Sequence, residues 1–351
     1  MKILQVNTEK TWRGGERQTL LTIKGLKLAG LDPHLLCLDG YPLFQKASQK
    51  NLPVIGVSSQ IQALKTLARR GSEYDLIHAQ TGRAQSLAVI TSPFHRRKIV
   101  YTRRVDFIPR GIVSWLKYKH TNQLAAISPA IKDILQNFLP GREVPVIPSC
   151  IDTSRDTMPA SDRAQQIRTR HPGKKIVATI AAMVPHKDPL TMLKAVSRLR
   201  ELAPDRFVFL HFGQGEMEKE VRSWIKEFGL EKDYLLMGFS PEVESFFPVM
   251  DAFVMSSQEE GLGSSVLEAF RYEVPVVSTT AGGLGHLVSG RGLSCPPGDH
   301  ECLAQNINRL LDDPDSARMF VNRAQGYVLA EHSLEKMATD YIRLYQGMLK
   351  E

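Results

Sequence analysis

Ser256-Ser257-Gln258-Glu259-Glu260-Gly261-Leu262-Gly263-Ser264-Ser265-Val266-Leu267-Glu268-Ala269 follows a short apolar run, Ala252-Phe253-Val254-Met255, and leads into an amphipathic stretch. The pattern predicts strand, then a Gly/Ser loop, then helix. Two carboxylates, Glu260 and Glu268, bracket seven residues, one in the loop and one in the helix. Gly261 and Gly263 let a backbone approach a ligand closely. Ser264 and Ser265 fall at the helix start, where N–H groups are free and the helix dipole is positive. Such a terminus suits a diphosphate, and carboxylates on either side suit sugar hydroxyls. The next strand, Pro275-Val276-Val277-Ser278, is followed by Ala281-Gly282-Gly283, read as a second flexible loop at the same sheet end.

Outward from this stretch the pattern repeats. Short β-branched runs alternate with helix-length amphipathic segments, the signature of parallel sheets with crossover helices. Strands are expected at 2–7, 33–38, 53–57, 76–79, 99–102, 124–127 and 144–147, then at 175–180, 207–212, 234–237, 252–255 and 275–278. Helices are expected at 17–29, 60–68, 84–91, 112–120 and 128–138, then at 189–202, 217–228, 241–248 and 265–271. The tail, 301–311, 314–330 and 334–349, reads as helical. Residues 149–173 are polar and read as a linker. The expected architecture is α/β, with two Rossmann-like domains facing across a cleft. The boundaries are 1–165, 166–330 and a final helix, 331–351, that returns to the first domain. In such sheets ligands sit at the carboxyl ends of the strands.

The 351 residues suffice for two cores, and the composition is that of a soluble globular chain, 42% hydrophobic and 23% charged. No run approaches the ~18 apolar residues of a membrane span. Met1-Lys2-Ile3-Leu4-Gln5-Val6-Asn7 reads as a first strand rather than a signal peptide. The four cysteines, Cys37, Cys150, Cys295 and Cys302, form no C-x-x-C and have no histidine at metal spacing. They are expected to be reduced, packed as small hydrophobes, in a cytoplasmic protein. Net charge is +8, and it is uneven: residues 1–150 hold 22 Lys+Arg against 9 Asp+Glu, and the remainder is acidic. The excess gathers at Arg96-Arg97-Lys98, Arg103-Arg104, Arg110 and Lys117-Tyr118-Lys119-His120. It fits an anionic partner, or a merely solvated basic face. The 111–120 stretch mixes aromatic and apolar residues with cations. It fits a helix lying on an anionic membrane, or one with a core-facing stripe. No nucleic-acid-binding module accompanies the charge.

The segment from Glu260 to Gly283 resembles the donor site of the retaining glycosyltransferases of the GT-B fold, family four, including lipopolysaccharide-core and phosphatidylinositol-mannoside types. That family has a Glu, seven residues and a second Glu, then P-V-V and a Gly-Gly loop. Further segments agree in order. Trp12-Arg13-Gly14-Gly15-Glu16-Arg17 resembles the glycine loop of the first domain. Met183-Val184-Pro185-His186-Lys187-Asp188 resembles the lysine loop. Phe212-Gly213-Gln214-Gly215-Glu216 and Met237-Gly238-Phe239 resemble the loops around the donor.

The resemblance implies a hexosyltransferase that moves a sugar from a UDP-, GDP- or ADP-linked donor to a hydroxyl of an anionic glycolipid or glycan. Lipopolysaccharide or other cell-envelope synthesis at the cytoplasmic face of the inner membrane, with peripheral contact, is the expected setting. No cofactor or metal is expected. Glu260 would contact the donor sugar, Glu268 the ribose, and Lys187 the diphosphate. Gly14, Gly15, Gly213, Gly238, Phe239, Gly263, Ser264 and Ser265 would complete the donor site. The sequence departs from the family twice. Ala181-Ala182 stands where a Gly-Arg usually lies, and Tyr101-Thr102-Arg103-Arg104-Val105-Asp106 stands where a histidine is usual. Arg103 or Arg104 is expected to supply the absent positive charge, and the other to meet the acceptor. His78 and Asp106 are further acceptor-site candidates. His78 fits a buried structural role equally well. A nucleotide-sugar 2-epimerase of the same fold and a non-catalytic, polyanion-binding subunit are the alternatives.

Overall fold

The computed structural model describes residues 1–152 and 157–350. The chain forms two compact units, Met1–Ser154 with Glu331–Glu351, and Arg155–Ala330. The described residues 157–165, expected with the first domain, cluster with the second unit.

In the first unit the order is β1 (Lys2–Val6), α1 (Gly14–Leu28), β2 (Asp32–Leu38), α2 (Pro42–Gln49), β3 (Val54–Val57), α3 (Gln60–Arg70), β4 (Leu76–Ala79), α4 (Gly82–His95), β5 (Lys98–Arg103), α5 (Ile112–Lys119), β6 (Gln123–Ala126) and α6 (Pro129–Phe138). The second unit continues with α7 (Asp162–Arg170), β7 (Lys175–Ile180), α8 (Pro189–Leu202), β8 (Phe207–Phe212), α9 (Glu218–Glu227), β9 (Tyr234–Gly238), β10 (Ala252–Met255), α10 (Ser264–Arg271), β11 (Val276–Thr279), α11 (Gly283–Val288), β12 (Leu293–Cys295), α12 (His300–Asp312) and α13 (Pro314–Glu331). The last helix, α14 (Leu334–Lys350), belongs to the first unit.

Each unit has one six-stranded sheet, ordered β3-β2-β1-β4-β5-β6 and β12-β11-β10-β7-β8-β9. The pairings are parallel throughout. Counted within each unit, both have the doubly wound order 3-2-1-4-5-6. The switch points, where the winding reverses, lie between β1 and β4 and between β7 and β10. The loops after these strands open the crevice in which such sheets hold ligands.

The central strands are buried on both faces, so they are continuous apolar runs without alternation: Leu76-Ile77-His78-Ala79 and Phe207-Val208-Phe209-Leu210-His211-Phe212 are buried throughout. Helix α14 closes the first core. Leu334, Met337, Tyr341, Tyr345 and Met348 pack with Ile3, Leu26, Leu76 and Val100. Each such side chain contributes about 1.5–3 kcal/mol on burial. Gly25 of α1 makes the approach close. A Cβ there would lie 3.0 Å from the Met337 Cε atom and 3.1 Å from the Leu334 carbonyl.

Several elements differ from expectation. The segment at 144–147 is a single bridge, Ala126 to Val146, because Pro145 and Pro148 remove ladder donors. Within the expected linker lies α7, capped by Ser161, whose hydroxyl accepts from the Ala164 N–H at 3.3 Å. It buries only Ala164 and Ile167, which leaves no visible apolar stripe. The stretch read as helix 241–248 is a 3-10 segment, Val243–Val249, with Pro248 inside it. Cys295 and Cys302 do not remain apart. They are joined by a disulfide with Cα atoms 5.8 Å apart, because the 295–302 turn brings β12 back onto α12. Cys37 and Cys150 are free and buried, as expected of small hydrophobes.

Two fully buried histidines pin strands to their neighbours. His78 Nδ1 lies 2.7 Å from the Tyr345 hydroxyl and Nε2 lies 2.8 Å from Thr102 Oγ1. His211 Nε2 donates to the Ala181 carbonyl at 3.1 Å, so Nδ1 accepts from the Tyr234 hydroxyl at 2.7 Å. Burial holds His78 well below the ordinary imidazole range, aided by the Arg104 charge, and burial lowers His211 to about 4. Both folded pKa values lie below the unfolded one, so an acidified unfolded chain takes up protons that the fold refuses. Stability is therefore complete above pH ~6.5 and falls as pH drops toward 4. Calorimetry should show the melting temperature decreasing between pH 7 and pH 5; a flat profile would remove these histidines from the stability argument.

Candidate functional site

The second-unit site grows from β7 and β10, which are adjacent and parallel. The loop after β7 ends in a 3-10 turn, Pro185–Lys187, and Asp188 at φ +49° caps α8 by accepting from the Thr191 N–H at 3.1 Å. The loop after β10 is tied to this turn. Ser256 Oγ donates to the Lys187 and Asp188 carbonyls, both at 3.0 Å. The Gln258 N–H donates to the His186 carbonyl at 2.9 Å, and Gln258 Nε2 donates to Asp188 Oδ2 at 2.5 Å. With the loops fixed, Lys187 Nζ donates to Glu260 Oε2, both side chains largely buried. Two residues 73 positions apart are thereby brought into an ion pair.

Glycines set the floor beneath Glu260. Gly282 has φ +48° and ψ −120°, and a Cβ on it would stand 2.2 Å from the Glu260 carbonyl oxygen. The Gly283 N–H donates to that oxygen at 2.8 Å. The segment read as a second flexible loop is thus a backbone brace that opens α11. Gly213 is similar. At φ +140°, its missing Cβ would fall 2.0 Å from the Ala181 carbonyl, so it seats the β7 loop. Its N–H donates to the Gly238 carbonyl at 2.9 Å, and beyond Gly238 the Phe239 ring is 59% exposed.

Gly263, at φ +94°, precedes α10, and a Cβ there would meet Leu284 Cδ2 at 2.5 Å. The helix ladder begins with the Val266 and Leu267 N–H groups donating to the Gly263 carbonyl. The Ser264 and Ser265 N–H groups precede that ladder, at the positive end of the helix. Glu268, one turn on, is buried and lies 3.8 Å from Arg271. The pair of Glu260 and Lys187, the brace and the α10 N-terminus therefore adjoin one another at one switch point.

The first-unit site lies at the other switch point, after β1, β4 and β5. A cavity of about 640 Å³ is bordered there by Arg13, Gly15, Gln80, Gly82, Arg103 and Arg104, among others. Gly14 opens α1, where the Arg13 N–H donates to Glu16 Oε2 at 2.8 Å. Burial raises the Glu16 carboxyl above its ordinary value despite that bond. Arg103 is buried and donates to the Tyr118 hydroxyl and the Phe107 carbonyl. Arg104 donates to Gln80 Oε1 at 2.7 Å and to Ser149 Oγ at 3.1 Å. Lys117 of α5, read only as part of a basic face, turns toward this cavity and donates to the Gly82 carbonyl at 3.2 Å. Burial, then the Arg103 charge, lowers its ammonium below the usual lysine range. Nothing in its spacing distinguished it, since the link from α5 to α4 is purely tertiary.

Two acceptor-site candidates do not line this cavity. His78 does not reach the cavity: it is enclosed, with both ring nitrogens engaged by Tyr345 and Thr102. Asp106 is half-buried on the loop that carries Val105 and Phe107 to the cavity, but is not part of its lining. Among the described residues no group of three or more His, Cys, Asp or Glu side chains is arranged to hold a metal ion. Likewise, no helix of the described residues is long and apolar enough to cross a membrane.

Two doubly wound units with these loops define a class, the GT-B glycosyltransferases. Residues 12–155 match the family described as Glycosyltransferase Family 4, and residues 161–327 match Glycosyl transferases group 1. The chain belongs to the family-four glycosyltransferases. It is similar to the lipopolysaccharide core biosynthesis glycosyltransferase LpsE of Rhizobium meliloti, 26% identical over 88% of this chain and 85% of that one. It is also similar to the UDP-Gal:alpha-D-GlcNAc-diphosphoundecaprenol alpha-1,3-galactosyltransferase of Escherichia coli, 22% identical over 89% and 88%. The crystal structure of Anabaena Alr3699/HepE in complex with UDP and glucose superposes with a TM-score of 0.86 at 20% identity, covering 99% of both chains. That likeness establishes the shared fold.

Proposed function

We propose that this glycosyltransferase transfers a hexose from a nucleoside diphosphate sugar, with retention of anomeric configuration and without a metal ion, to a hydroxyl of a glycolipid or glycan. The ion pair of Lys187 with Glu260 beside the α10 N-terminus carries the reading. An ammonium and preorganised N–H groups stabilise a leaving diphosphate, the task a divalent cation performs elsewhere. On the donor's arrival Lys187 turns from Glu260 to the diphosphate. Glu260 is then free to accept from sugar hydroxyls. The family resemblance assigns Glu268 to the ribose, and the exposed Phe239 ring supports a contact with the base. The neighbouring structure with UDP and glucose favours a UDP-linked donor. The names of the relatives favour a cell-envelope acceptor such as a lipopolysaccharide core or a polyprenyl-linked saccharide. Such acceptors agree with a cytoplasmic protein held peripherally at the membrane.

A thermal-shift panel of UDP-, GDP- and ADP-sugars, with and without EDTA, tests the donor half. Stabilisation by one of them that persists in EDTA is expected; no stabilisation by any would sink the donor site, and loss in EDTA would sink metal independence. NMR of the product's anomeric carbon tests retention. Arg103→Ala and Arg104→Ala should each depress transfer by roughly tenfold or more, as expected where a charge-assisted contact is lost. Wild-type rates in both would remove these arginines from the reaction.

A further inference from the structure

We infer that the first-unit cavity binds the phosphate of an amphiphilic acceptor, held by Arg103, Arg104 and Lys117, with the acceptor's aliphatic chain lying across Val105, Phe107 and Ile108. This rests on the transferase reading above and specifies the acceptor's chemistry.

The argument begins with unbalanced charge. Arg103 is 1% exposed, and Arg104 and Lys117 are half-buried beside it. Among the described residues none of the three has an ion-pair partner. The two carboxylates that line the cavity are otherwise engaged. Glu9 lies 3.5 Å from Arg83, and Glu16 accepts from the Arg13 N–H. The Arg103 and Arg104 Nε atoms are buried with no acceptor. Buried cations without counter-charge are costly, and guanidinium N–H groups are seldom left unsatisfied. An anion supplied from outside the chain resolves both. Two helix N-termini add positive potential at the wall. Helices α1, of 15 residues, and α4, of 14, both begin at its wall, presenting their positive ends through Gly15 and Gly82.

One wall is apolar and wet. Val105, Phe107 and Ile108 line the cavity while 39%, 62% and 63% exposed. On α5, next in the chain, Ile112, Val113 and Leu116 are also 67%, 78% and 44% exposed. An apolar strip running out of a cationic cavity complements a molecule with an anionic head and an aliphatic tail. A volume of about 640 Å³ exceeds what a bare phosphate fills and leaves room for a sugar ring.

Titration calorimetry on the full chain tests this with three probes below any micelle concentration: octyl phosphate, octyl glucoside and inorganic phosphate. Octyl phosphate is expected to bind roughly tenfold or more tightly than either of the others, in line with a charge-assisted contact plus apolar burial. Lys117→Gln, which removes the charge from a side chain at the rim, should weaken octyl phosphate by about tenfold with an unchanged melting curve. Equal affinity for octyl phosphate and octyl glucoside would overturn the phosphate site, and so would an unaltered Lys117→Gln isotherm. Equal affinity for octyl phosphate and inorganic phosphate would overturn the aliphatic contact. A saturating nucleotide sugar should leave octyl phosphate bound; displacement would assign the anion to the donor diphosphate and end the proposal. Nucleotide-sugar binding in the thermal-shift panel stands apart from these outcomes, so the donor reading survives or falls separately.

Discussion

Lys187→Ala lowers kcat/KM for sugar transfer by roughly 100- to 1,000-fold, the scale seen when one preorganised donor to a developing anion is removed. The ammonium is held in place before any ligand arrives. Its turn is fixed by Ser256 Oγ on two carbonyls and by Gln258 on Asp188, so little reorganisation remains when the diphosphate departs. Removing it also leaves Glu260, largely buried, without its counter-charge. The readout that separates this role from a structural one is the choice of ligand. Affinity for a nucleoside diphosphate should fall, while affinity for the bare nucleoside should not. Lys187→Arg should recover only part of the rate, because a planar fork does not occupy the same point as an ammonium. A variant with wild-type kcat/KM would dismiss Lys187 as a loop lysine.

The alternation of apolar runs with amphipathic stretches made both sheets legible, because strands buried on two faces must be continuously apolar. Lys175–Ile180, Phe207–Phe212 and Ala252–Met255 lie at the expected positions. What stayed hidden had no apolar stripe to show, as with α7, or was too short, as with β12. The Glu260 loop was legible through its glycines and its spacing from Glu268. Its meeting with Lys187 became visible only through the parallel neighbours β7 and β10. Of the two readings open for His78 the structure has the buried structural one, because a strand end at the ligand side of a sheet is also where a returning helix docks. The hydroxyl of Tyr345, 267 residues later, claims it. The disulfide was hidden for the same reason: the spacing of Cys295 and Cys302 says nothing until β12 and α12 fold together.

The second large effect belongs to a residue that touches no substrate. Gly282→Ala should lower the melting temperature of the second unit by roughly 6–12 °C, from about 3 kcal/mol of strain and collision at 2–4 °C per kcal/mol. Two costs combine. The backbone at φ +48°, ψ −120° is one that glycine alone adopts readily. The new Cβ would also stand 2.2 Å from the Glu260 carbonyl oxygen, so the loop must move. Gly290→Ala separates the two, since Gly290 has φ +71° and nothing within 4 Å of the added Cβ. It carries only the conformational cost, about 1 kcal/mol, and should shift melting by roughly 2–4 °C. The donor's dissociation constant provides the second axis. It should rise in Gly282→Ala, where Glu260 is pushed away from Lys187, and stay unchanged in Gly290→Ala. Equal destabilisation by the two substitutions, with donor affinity intact in both, would show that the Gly-Gly segment follows the Glu260 loop rather than holding it.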